Sequence, residues 1–365
     1  MNQTCDMLVI GGGIIGLCCA REFSTAGYRV TLIDKQRTGQ EASWAGGGIL
    51  SPLYPWRQPE SVLPLWTQSA RLYPELAQNL TETTGIDPEW NRCGMVILDP
   101  PDPEALAWCN KQSISAQGFD STQELPSGLD IGLCPRPSLW LPDIAQIRNP
   151  RLLAALKKDV EQKGVTIFED QESATLTVKN NRVSEVRTGN LHLSAGEVIV
   201  AAGAWSSKIA ADFLPVPLIT PVKGEMILYQ TKASRLKSII LHNGLYLIPR
   251  KDGLVLVGSP LDRTGYDKTP TRQARQQLED FVRRVFPPLA KSPVVGHWAG
   301  LRPGSADGIP SIGRHPGVSN LSFNCGHFRN GLAMAPASAR LLAELLTGGQ
   351  ASIPPTPYAI TDKIR

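Results

Sequence analysis

The first residues with spacing suited to chemistry are glycines near the amino terminus. Gly11-Gly-Gly-Ile-Ile-Gly16 follows the apolar residues 7–10, and Asp34 comes eighteen residues after the last of these glycines. In a G-x-G-x-x-G turn, the first glycine permits a tight bend and the second admits a pyrophosphate. The third lets the helix pack closely on the strand. A carboxylate placed like Asp34 accepts from ribose hydroxyls, which favours FAD or NAD over NADP.

Such a motif has meaning only between a strand and a helix. We predict a strand at residues 7–10, a helix over 17–28 and a second strand over 29–34. The free N–H groups and the dipole at the start of this helix favour the phosphates of a dinucleotide. The alternative is a glycine-rich turn that binds no nucleotide.

Two further segments of small residues could lie against a cofactor. In Ser43-Trp-Ala-Gly-Gly-Gly48, backbone N–H groups can approach a flat ring or a phosphate. A flexible surface loop is the alternative there. Residues 197–205 (Glu-Val-Ile-Val-Ala-Ala-Gly-Ala-Trp) predict a buried strand and a tight turn, which could border a cofactor opposite Gly11.

Three residues in the second half carry groups suited to holding a carboxylate. Tyr246 lies on a short predicted strand, Arg302 precedes a Pro-Gly pair, and Arg329 comes just before the last predicted helix. A guanidinium can donate two parallel hydrogen bonds to a carboxylate, and a tyrosine hydroxyl could add a third. Each residue could instead be structural, as a strand aromatic or a surface charge.

The remaining pattern predicts two kinds of structure. An α/β pattern surrounds a run of short strands with turn signals, which indicates an antiparallel meander. The predicted helices are 60–84 (broken or kinked by Pro64 and Pro74), 104–117, 149–163 (capped by Asn149), 269–285 and 331–346. A separate strand is predicted at 93–98. The predicted α/β strands are 165–168, 175–178, 183–188, 191–193, 197–200, 296–301 (returning to the first domain) and 321–325, and the meander strands are 224–229, 238–241, 245–248 and 254–257.

Length and composition indicate a globular protein of two domains. The 365 residues exceed one ordinary core, and 42% are hydrophobic against 19% charged, which excludes a disordered chain. The net charge of +4, without a dense basic block, argues against nucleic acid. The seven cysteines, Cys134 among them, form no C-x-x-C pair, and the five histidines lack metal-ligand spacing. We therefore expect no metal and a reduced compartment.

The apolar stretch at residues 7–20 is interrupted by glycines and follows Asp6 without a basic region. It is too short for a membrane span and unlike a signal peptide. We therefore expect a cytoplasmic protein without a membrane segment.

On these motifs, the chain resembles the D-amino acid oxidase superfamily and, within it, the glycine oxidase (ThiO) family of thiamine biosynthesis. The resemblance is carried by residues 9–16, 200–205, 246–253, 300–310 and 326–331. It implies noncovalent FAD and oxidation of glycine, sarcosine or small D-amino acids by hydride transfer to the flavin. Molecular oxygen would reoxidise the flavin to give hydrogen peroxide. The imine would yield an oxo acid and ammonia, or pass to thiazole synthesis.

The resemblance also implies roles for single residues. Arg302 would bind the substrate carboxylate, Tyr246 would assist it, and Arg329 would lie close by; residues 43–48 would lie along the flavin ring. Leu261 stands where related enzymes carry methionine, of similar volume, in the expected substrate pocket. The implied cofactor-binding residues are Gly11, Gly13, Ile14, Ile15, Gly16, Asp34, Lys35, Ser43, Trp44, Ala45, Gly46, Gly47, Gly48, Ala174, Ala202, Gly203, Trp205, Arg302, His327, Phe328, Arg329, Asn330, Gly331 and Leu332.

The predicted fold class is therefore α/β, more fully a two-domain α+β protein with a Rossmann-like FAD-binding domain and an inserted antiparallel-sheet substrate domain. We assign residues 1–85, 145–220 and 299–365 to the FAD-binding domain, and residues 86–144 and 221–298 to the substrate-binding domain. Homo-oligomerisation stays open.

Several alternatives remain within and outside this fold. The first is a sarcosine oxidase-like enzyme or a quinone-linked D-amino acid dehydrogenase. Cys325 could carry a covalent flavin, although it is better explained as the end of a strand. A base at His327 is a further alternative to a loop histidine beside the flavin. The alternatives from other functional classes are a tRNA-modifying flavoprotein and a non-enzymatic FAD scaffold.

Overall fold

The computed structural model describes residues 2–119, 138–231 and 236–360, so Cys134 lies outside the described residues. The helices of the described residues are α1 (Ile14–Thr25), α2 (Ala42–Ala45), α3 (Val62–Thr84), α4 (Pro103–Lys111), α5 (Asn149–Gln162), α6 (Ser206–Ile209), α7 (Arg272–Val285) and α8 (Gly331–Thr347). The strands are β1 (Asn2–Ile10), β2 (Val30–Ile33), β3 (Asn91–Arg92), β4 (Met95–Ile97), β5 (Gln117–Gly118), β6 (Leu139–Leu141), β7 (Ala145–Gln146), β8 (Thr166–Phe168), β9 (Thr175–Lys179), β10 (Arg182–Thr188), β11 (Leu191–Val200), β12 (Ile219–Gln230), β13 (Ile239–His242), β14 (Leu245–Pro249), β15 (Leu254–Gly258), β16 (Val294–Ser305), β17 (Ser311–Arg314) and β18 (Leu321–Cys325).

The first sheet has a parallel centre made from strands that are distant in sequence. Its order is β17-β18-β11-β1-β2-β8, with β10 paired to β11 and β9 to β10. The strands β18, β11, β1, β2 and β8 run parallel. Their carboxyl ends therefore meet at one edge, which is where ligands bind in open α/β sheets. The turns that follow β1, β2, β11 and β18 all lie along this edge.

The second sheet is mainly antiparallel and has the order β16-β12-β15-β14-β13-β4-β6-β5. Only the β13–β4 pair among these is parallel. Helix α7 packs on β12 and β15 and buries Leu278, Phe281, Val282 and Val285. These side chains recur at a spacing of three or four residues, so they form one apolar face of the helix. The sheet thus has a core of its own, continuous with the side chains of α7.

The predicted mixture of a parallel sheet and an antiparallel sheet is confirmed, but several boundaries differ. The predicted strands 191–193 and 197–200 are one strand, β11, and β17 was not predicted. Helix α4 ends at Lys111, well before residue 117. Asn149 is the first residue of α5 and not its cap. Its side-chain amide donates instead to the carbonyl of Ser43 at 2.6 Å.

Two predictions about continuity were wrong. Helix α3 runs unbroken from Val62 to Thr84 with Pro74 inside it. Pro64 lies in the first turn of α3, where backbone N–H groups have no partner within the helix, so its missing N–H costs nothing. At Pro74 one backbone hydrogen bond of the helix is lost, and burial of the long apolar face of α3 offsets that loss. Strand β16 does not return to the first sheet, because it pairs with β12 from Val294 to Ser305. The domain boundaries at residues 220 and 298 therefore fall inside strands of the second sheet, and the division into domains stays a prediction.

None of the helices in the three described segments is long and apolar enough to cross a membrane.

Candidate cofactor and substrate site

A large cavity lies between the ligand-binding edge of the first sheet and one face of the second. It contains about 1920 Å³ of space not filled by protein atoms, part of it open to solvent. Its lining runs from the glycine turn after β1 to Arg302 and Arg329. Every predicted site residue lines it except Gly16 and Trp44.

The glycine turn after β1 has the geometry that its sequence predicts. Gly11 has φ +111°, and a Cβ there would lie 2.5 Å from the carbonyl oxygen of Ala201. A Cβ on Gly16 would lie 1.8 Å from the carbonyl oxygen of Gly11. Gly16 is therefore absent from the cavity lining because its role is to let α1 pack against the turn. Gly13 is the residue before α1 and lines the cavity.

Asp34 holds the turn as well as facing the cavity. Its two carboxylate oxygens accept from the N–H groups of Gly12, at 2.6 Å, and Gln36, at 2.9 Å. Burial raises the pKa of Asp34, and these two hydrogen bonds oppose that shift. Each carboxylate oxygen has a second lone pair, so a ribose hydroxyl can still donate to it. The bond to Gly12 could not be foreseen from the spacing of the motif.

The small-residue segment 43–48 contacts both the turn and the second sheet. The hydroxyl of Ser43 accepts from the N–H of Ile14 at 2.9 Å, at the start of α1. The ring of Trp44 lies outside the cavity lining and packs on Trp298, with ring centroids 5.3 Å apart. The indole N–H of Trp298 donates to the carbonyl of Ala45 at 3.1 Å. Trp44 thus fixes the segment to the second sheet through its contact with Trp298, outside the cavity.

An aromatic pair borders the cavity near the end of β2. The ammonium of Lys35 lies 3.2 Å from the ring centroid of Trp205, which contacts Tyr266. Burial lowers the pKa of Lys35. Ala202 and Gly203, which follow β11, and Ala174 line the same region. The prediction that the turn after β11 faces Gly11 is consistent with this arrangement.

Arg302 is held from three sides at the other end of the cavity. Its guanidinium donates to the carbonyls of Lys223, at 3.2 Å, and Pro260, at 3.1 Å, and to the hydroxyl of Ser259. It forms no ion pair with a carboxylate among the residues that the structure describes. Burial lowers the pKa of Arg302. The charge is therefore desolvated without a carboxylate partner, a costly arrangement that an anionic ligand would relieve.

Tyr246 and Arg329 lie beside this guanidinium. Tyr246 is 7% exposed, and its hydroxyl contacts the sulfur of Met226 at 3.5 Å. Arg329 has one long contact, 3.5 Å, to the carbonyl of Gly244, and burial lowers its pKa. The charge of Arg329 also lowers the pKa of Arg302, while Tyr246 raises it. The structure thus brings together the three residues that the sequence pattern proposed.

His327 and Cys325 line the cavity but have the properties of core residues. The Nε2 atom of His327 is 2.7 Å from the hydroxyl of Ser338, and burial lowers the pKa of His327 to about 3. The ring is therefore neutral at ordinary pH. Cys325 ends β18, and burial raises the pKa of its thiol to about 12. A base at His327 and a thiolate at Cys325 are both disfavoured.

Some residues of this site had no signal in the sequence, and one expected residue lies elsewhere. Lys223, Gly224 and Ser259 surround Arg302, although nothing in their local pattern links them to it. Leu261 is 47% exposed and does not line the cavity. It follows the end of β15, where the chain leaves the sheet, so its expected place in the pocket was wrong for this structure. No cluster of possible metal ligands occurs within residues 2–119, 138–231 and 236–360.

Comparisons with known proteins identify the family of this chain. The family model "DAO: FAD dependent oxidoreductase" matches residues 6–345. A glycine oxidase of Pseudomonas aeruginosa is 43% identical over 97% of this chain and 98% of its own. The bifunctional protein ThiO/ThiG of Synechocystis sp. is 30% identical over 95% of this chain and 52% of its own. The crystal structure of glycine oxidase from Geobacillus kaustophilus superposes with a TM-score of 0.93 at 25% identity, covering 99% of this chain and all of that one.

The glycine turn at the start of α1 and the carboxylate of Asp34 fit FAD, and the family match covers both sheets and the turns between them. The chain therefore belongs to the DAO family of FAD dependent oxidoreductases.

Proposed function

We propose that this protein is a glycine oxidase with noncovalent FAD, and that sarcosine and small D-amino acids are further substrates. The observation that carries this proposal is the buried guanidinium of Arg302, which has no carboxylate partner among the described residues and lies beside Tyr246. It stands in the same cavity as the nucleotide turn. The relatives named glycine oxidase support the choice of substrate.

The geometry supports a choice of residues that would hold FAD. The turn at Gly11 and Gly13 and the start of α1 would bind the pyrophosphate, and Asp34 would accept from the ribose. The segment 43–48 would lie along the ring. When bound, FAD supplies the hydride acceptor and the reaction with oxygen, which the protein side chains cannot supply.

The chain's own contribution is orientation. Arg302 would bind the substrate carboxylate through two parallel hydrogen bonds, and the hydroxyl of Tyr246 would donate a third. A small amino acid fixed at its carboxylate has its Cα–H direction restricted, and such restriction is worth several orders of magnitude in rate. The three bonds that hold Arg302 serve this purpose, because they leave its fork little freedom.

Acid–base chemistry is not required of the side chains if the substrate amine binds in its neutral form. His327 is neutral and tied to Ser338, which fits a structural role. Glycine, oxygen and water would then give glyoxylate, ammonia and hydrogen peroxide. The name ThiO/ThiG of a relative supports delivery of the imine to thiazole synthesis, and a cytoplasmic location is part of the same proposal.

The test is a panel of amines measured by oxygen consumption and peroxide release, with glycine, sarcosine and D-alanine as the first members. We expect glycine to rank first. Reduction of a quinone or dye without oxygen consumption would instead indicate a dehydrogenase. Arg302→Met should lower kcat/KM by about 100-fold or more, because the substrate carboxylate loses its partner, while FAD stays bound.

The matched control is Arg283→Met, which removes a surface arginine of α7 that pairs with Asp280. It should leave kcat/KM unchanged. A wild-type kcat/KM in Arg302→Met would show that the carboxylate binds elsewhere.

A further inference from the structure

Arg250 is a buried cation that the proposed chemistry does not use. It follows β14, and its backbone is fixed by a tight turn: its N–H donates to Leu254 at 2.8 Å and its carbonyl accepts from Gly253 at 3.3 Å. It does not line the cavity. Its guanidinium nevertheless contacts Gly47, which lines the cavity.

The guanidinium of Arg250 joins three parts of the chain. Nη1 donates to the side-chain oxygen of Gln146 at 2.7 Å and to the carbonyl of Ile147 at 3.0 Å. Nη2 donates to the carbonyl of Gly47 at 2.8 Å. The amide nitrogen of Gln146 in turn donates to the carbonyl of Pro249 at 2.9 Å. This fork therefore fixes two peptide planes, one of which belongs to segment 43–48.

Gly48, which follows Gly47, fits this arrangement only because it is a glycine. A Cβ on Gly48 would lie 2.0 Å from the carbonyl oxygen of Ile147 and 3.1 Å from Nη2 of Arg250, and Gly48 has φ +80°. Both glycines line the cavity. Within the part of the chain that the structure describes, neither of their N–H groups has a hydrogen-bond acceptor. A buried N–H group without a hydrogen-bond acceptor is costly. An acceptor on a molecule bound in the cavity would therefore stabilise these two groups.

Arg250 also carries a charge that no carboxylate neutralises directly. Among the described residues it forms no ion pair, and the nearby acids Glu89 and Asp252 pair with Arg148. Burial lowers the pKa of Arg250 to about 10, so the group is protonated at neutral pH. A positive charge therefore stands directly behind segment 43–48.

We propose that Arg250 is a positioning residue for the flavin ring: it holds the carbonyls of Gly47 and Ile147 on the far side of the loop and so keeps the N–H groups of Gly47 and Gly48 available to acceptor atoms of the ring. The inference rests on the proposed function in one respect, the placement of the ring along segment 43–48. Its charge has a second effect. Flavin reduction adds negative charge, so a cation behind the loop raises the midpoint potential.

The experiment measures FAD binding by fluorescence, the visible spectrum of the bound flavin and its midpoint potential in Arg250→Lys and Arg250→Met. Lysine keeps the charge but cannot donate in the directions of the fork. We expect both variants to bind FAD at least about tenfold more weakly, the loss expected for hydrogen bonds from a charged group. We expect the potential to fall clearly only in Arg250→Met.

The matched control is Lys251→Met, at the exposed cation next to Arg250 in sequence, which pairs with Asp87. It should change FAD binding by no more than about twofold. If Arg250→Met fails to fold, Arg250→Lys decides by the same measurements. Wild-type FAD affinity and spectrum in a folded Arg250→Lys would overturn the proposal. None of these measurements needs a substrate. They can therefore refute the role of Arg250 while the proposed glycine oxidation holds, and they can support that role even if glycine is not the substrate.

Discussion

The guanidinium of Arg302 lies directly against Gly224, so that a Cβ at residue 224 would stand 2.2 Å from its Nη1 atom. The two residues lie on neighbouring strands, where Gly224 pairs with Gly300 and Arg302 pairs with Val222. Glycine at this position of β12 therefore provides the space in which the fork of Arg302 lies.

Gly224→Ala should displace the guanidinium without removing it. We expect KM for glycine to rise at least about tenfold, since a charge-assisted bidentate contact is worth about 1.5–3 kcal/mol. FAD should remain bound, because the atoms nearest the added Cβ all belong to the guanidinium of Arg302. The measurement is steady-state oxygen consumption at varied glycine, with the flavin content determined by absorbance.

The control for this variant is Gly349→Ala, where a Cβ would have only ordinary contacts, 3.6 Å or more, with Glu344. It should behave as wild type. An unchanged KM in Gly224→Ala would contradict the claim that the glycine reserves space for Arg302.

The nucleotide end of the cavity could be predicted from the sequence because its parts are local. Turn, helix start and acid lie within residues 11–34, and each follows a rule for one βα unit. The setting of Arg302 could not be predicted in this way. Its hydrogen-bond partners Lys223, Ser259 and Pro260 are between 42 and 79 residues away. They come near because β12 pairs with both β15 and β16.

The predicted position of strand β16 was wrong. The prediction returned residues 296–301 to the first domain, although the sequence Gly-His-Trp-Ala-Gly-Leu does not identify a pairing partner. Pairing partners are set by tertiary contacts that a period-2 pattern does not record. Tyr246 and Arg302 thus share a sheet, which the predicted domain boundaries had divided.

Gly16→Ala tests packing in the nucleotide turn separately from phosphate binding. Its Cβ would meet the backbone oxygen of Gly11 at 1.8 Å, and a backbone atom cannot move aside cheaply. We expect the free energy of unfolding of the apoprotein to fall by about 2 kcal/mol or more, at the upper part of the range for overpacking. Urea unfolding followed by circular dichroism measures this, and an FAD titration measures the accompanying loss of affinity.

Gly12→Ala is the matched comparison within the same turn. Its Cβ would lie 3.0–3.1 Å from the side chains of Thr38 and Asp34, which can give way by a few tenths of an ångström. The loss of stability should be clearly smaller than in Gly16→Ala. Equal losses in the two variants would mean that the contact with Gly11 is not what selects glycine at residue 16.

Noncovalent FAD can be tested at Cys325. Burial raises the pKa of this thiol to about 12, so the thiolate needed for attachment to a flavin is scarce. We expect acid precipitation to leave the yellow colour in the supernatant, and Cys325→Ala to keep a full complement of FAD. Cys109→Ala, at a buried thiol outside the cavity, serves as the control. Flavin retained in the wild-type pellet and lost in Cys325→Ala would refute this prediction.

His327 should make the stability of the protein depend on pH in a defined window. Burial lowers its pKa from the ordinary value of 6.5 to about 3. Between these values the unfolded chain binds a proton that the folded protein does not. Stability from this residue is therefore fully present above pH 6.5 and is lost as the pH falls, by about 1.4 kcal/mol for each pH unit at most.

His327→Gln should remove this contribution, so its stability should fall less steeply than that of wild type between pH 6.5 and 3. Urea unfolding at a series of pH values gives the two slopes. Gln273→Ala, at an exposed residue of α7 without a titratable group, should keep the wild-type slope. Because His327 is neutral in the folded protein throughout the working range, kcat/KM of His327→Gln should keep the wild-type pH profile above about pH 5. If kcat/KM of the wild type changed with pH near neutrality and this change disappeared in His327→Gln, the histidine would be a catalytic base.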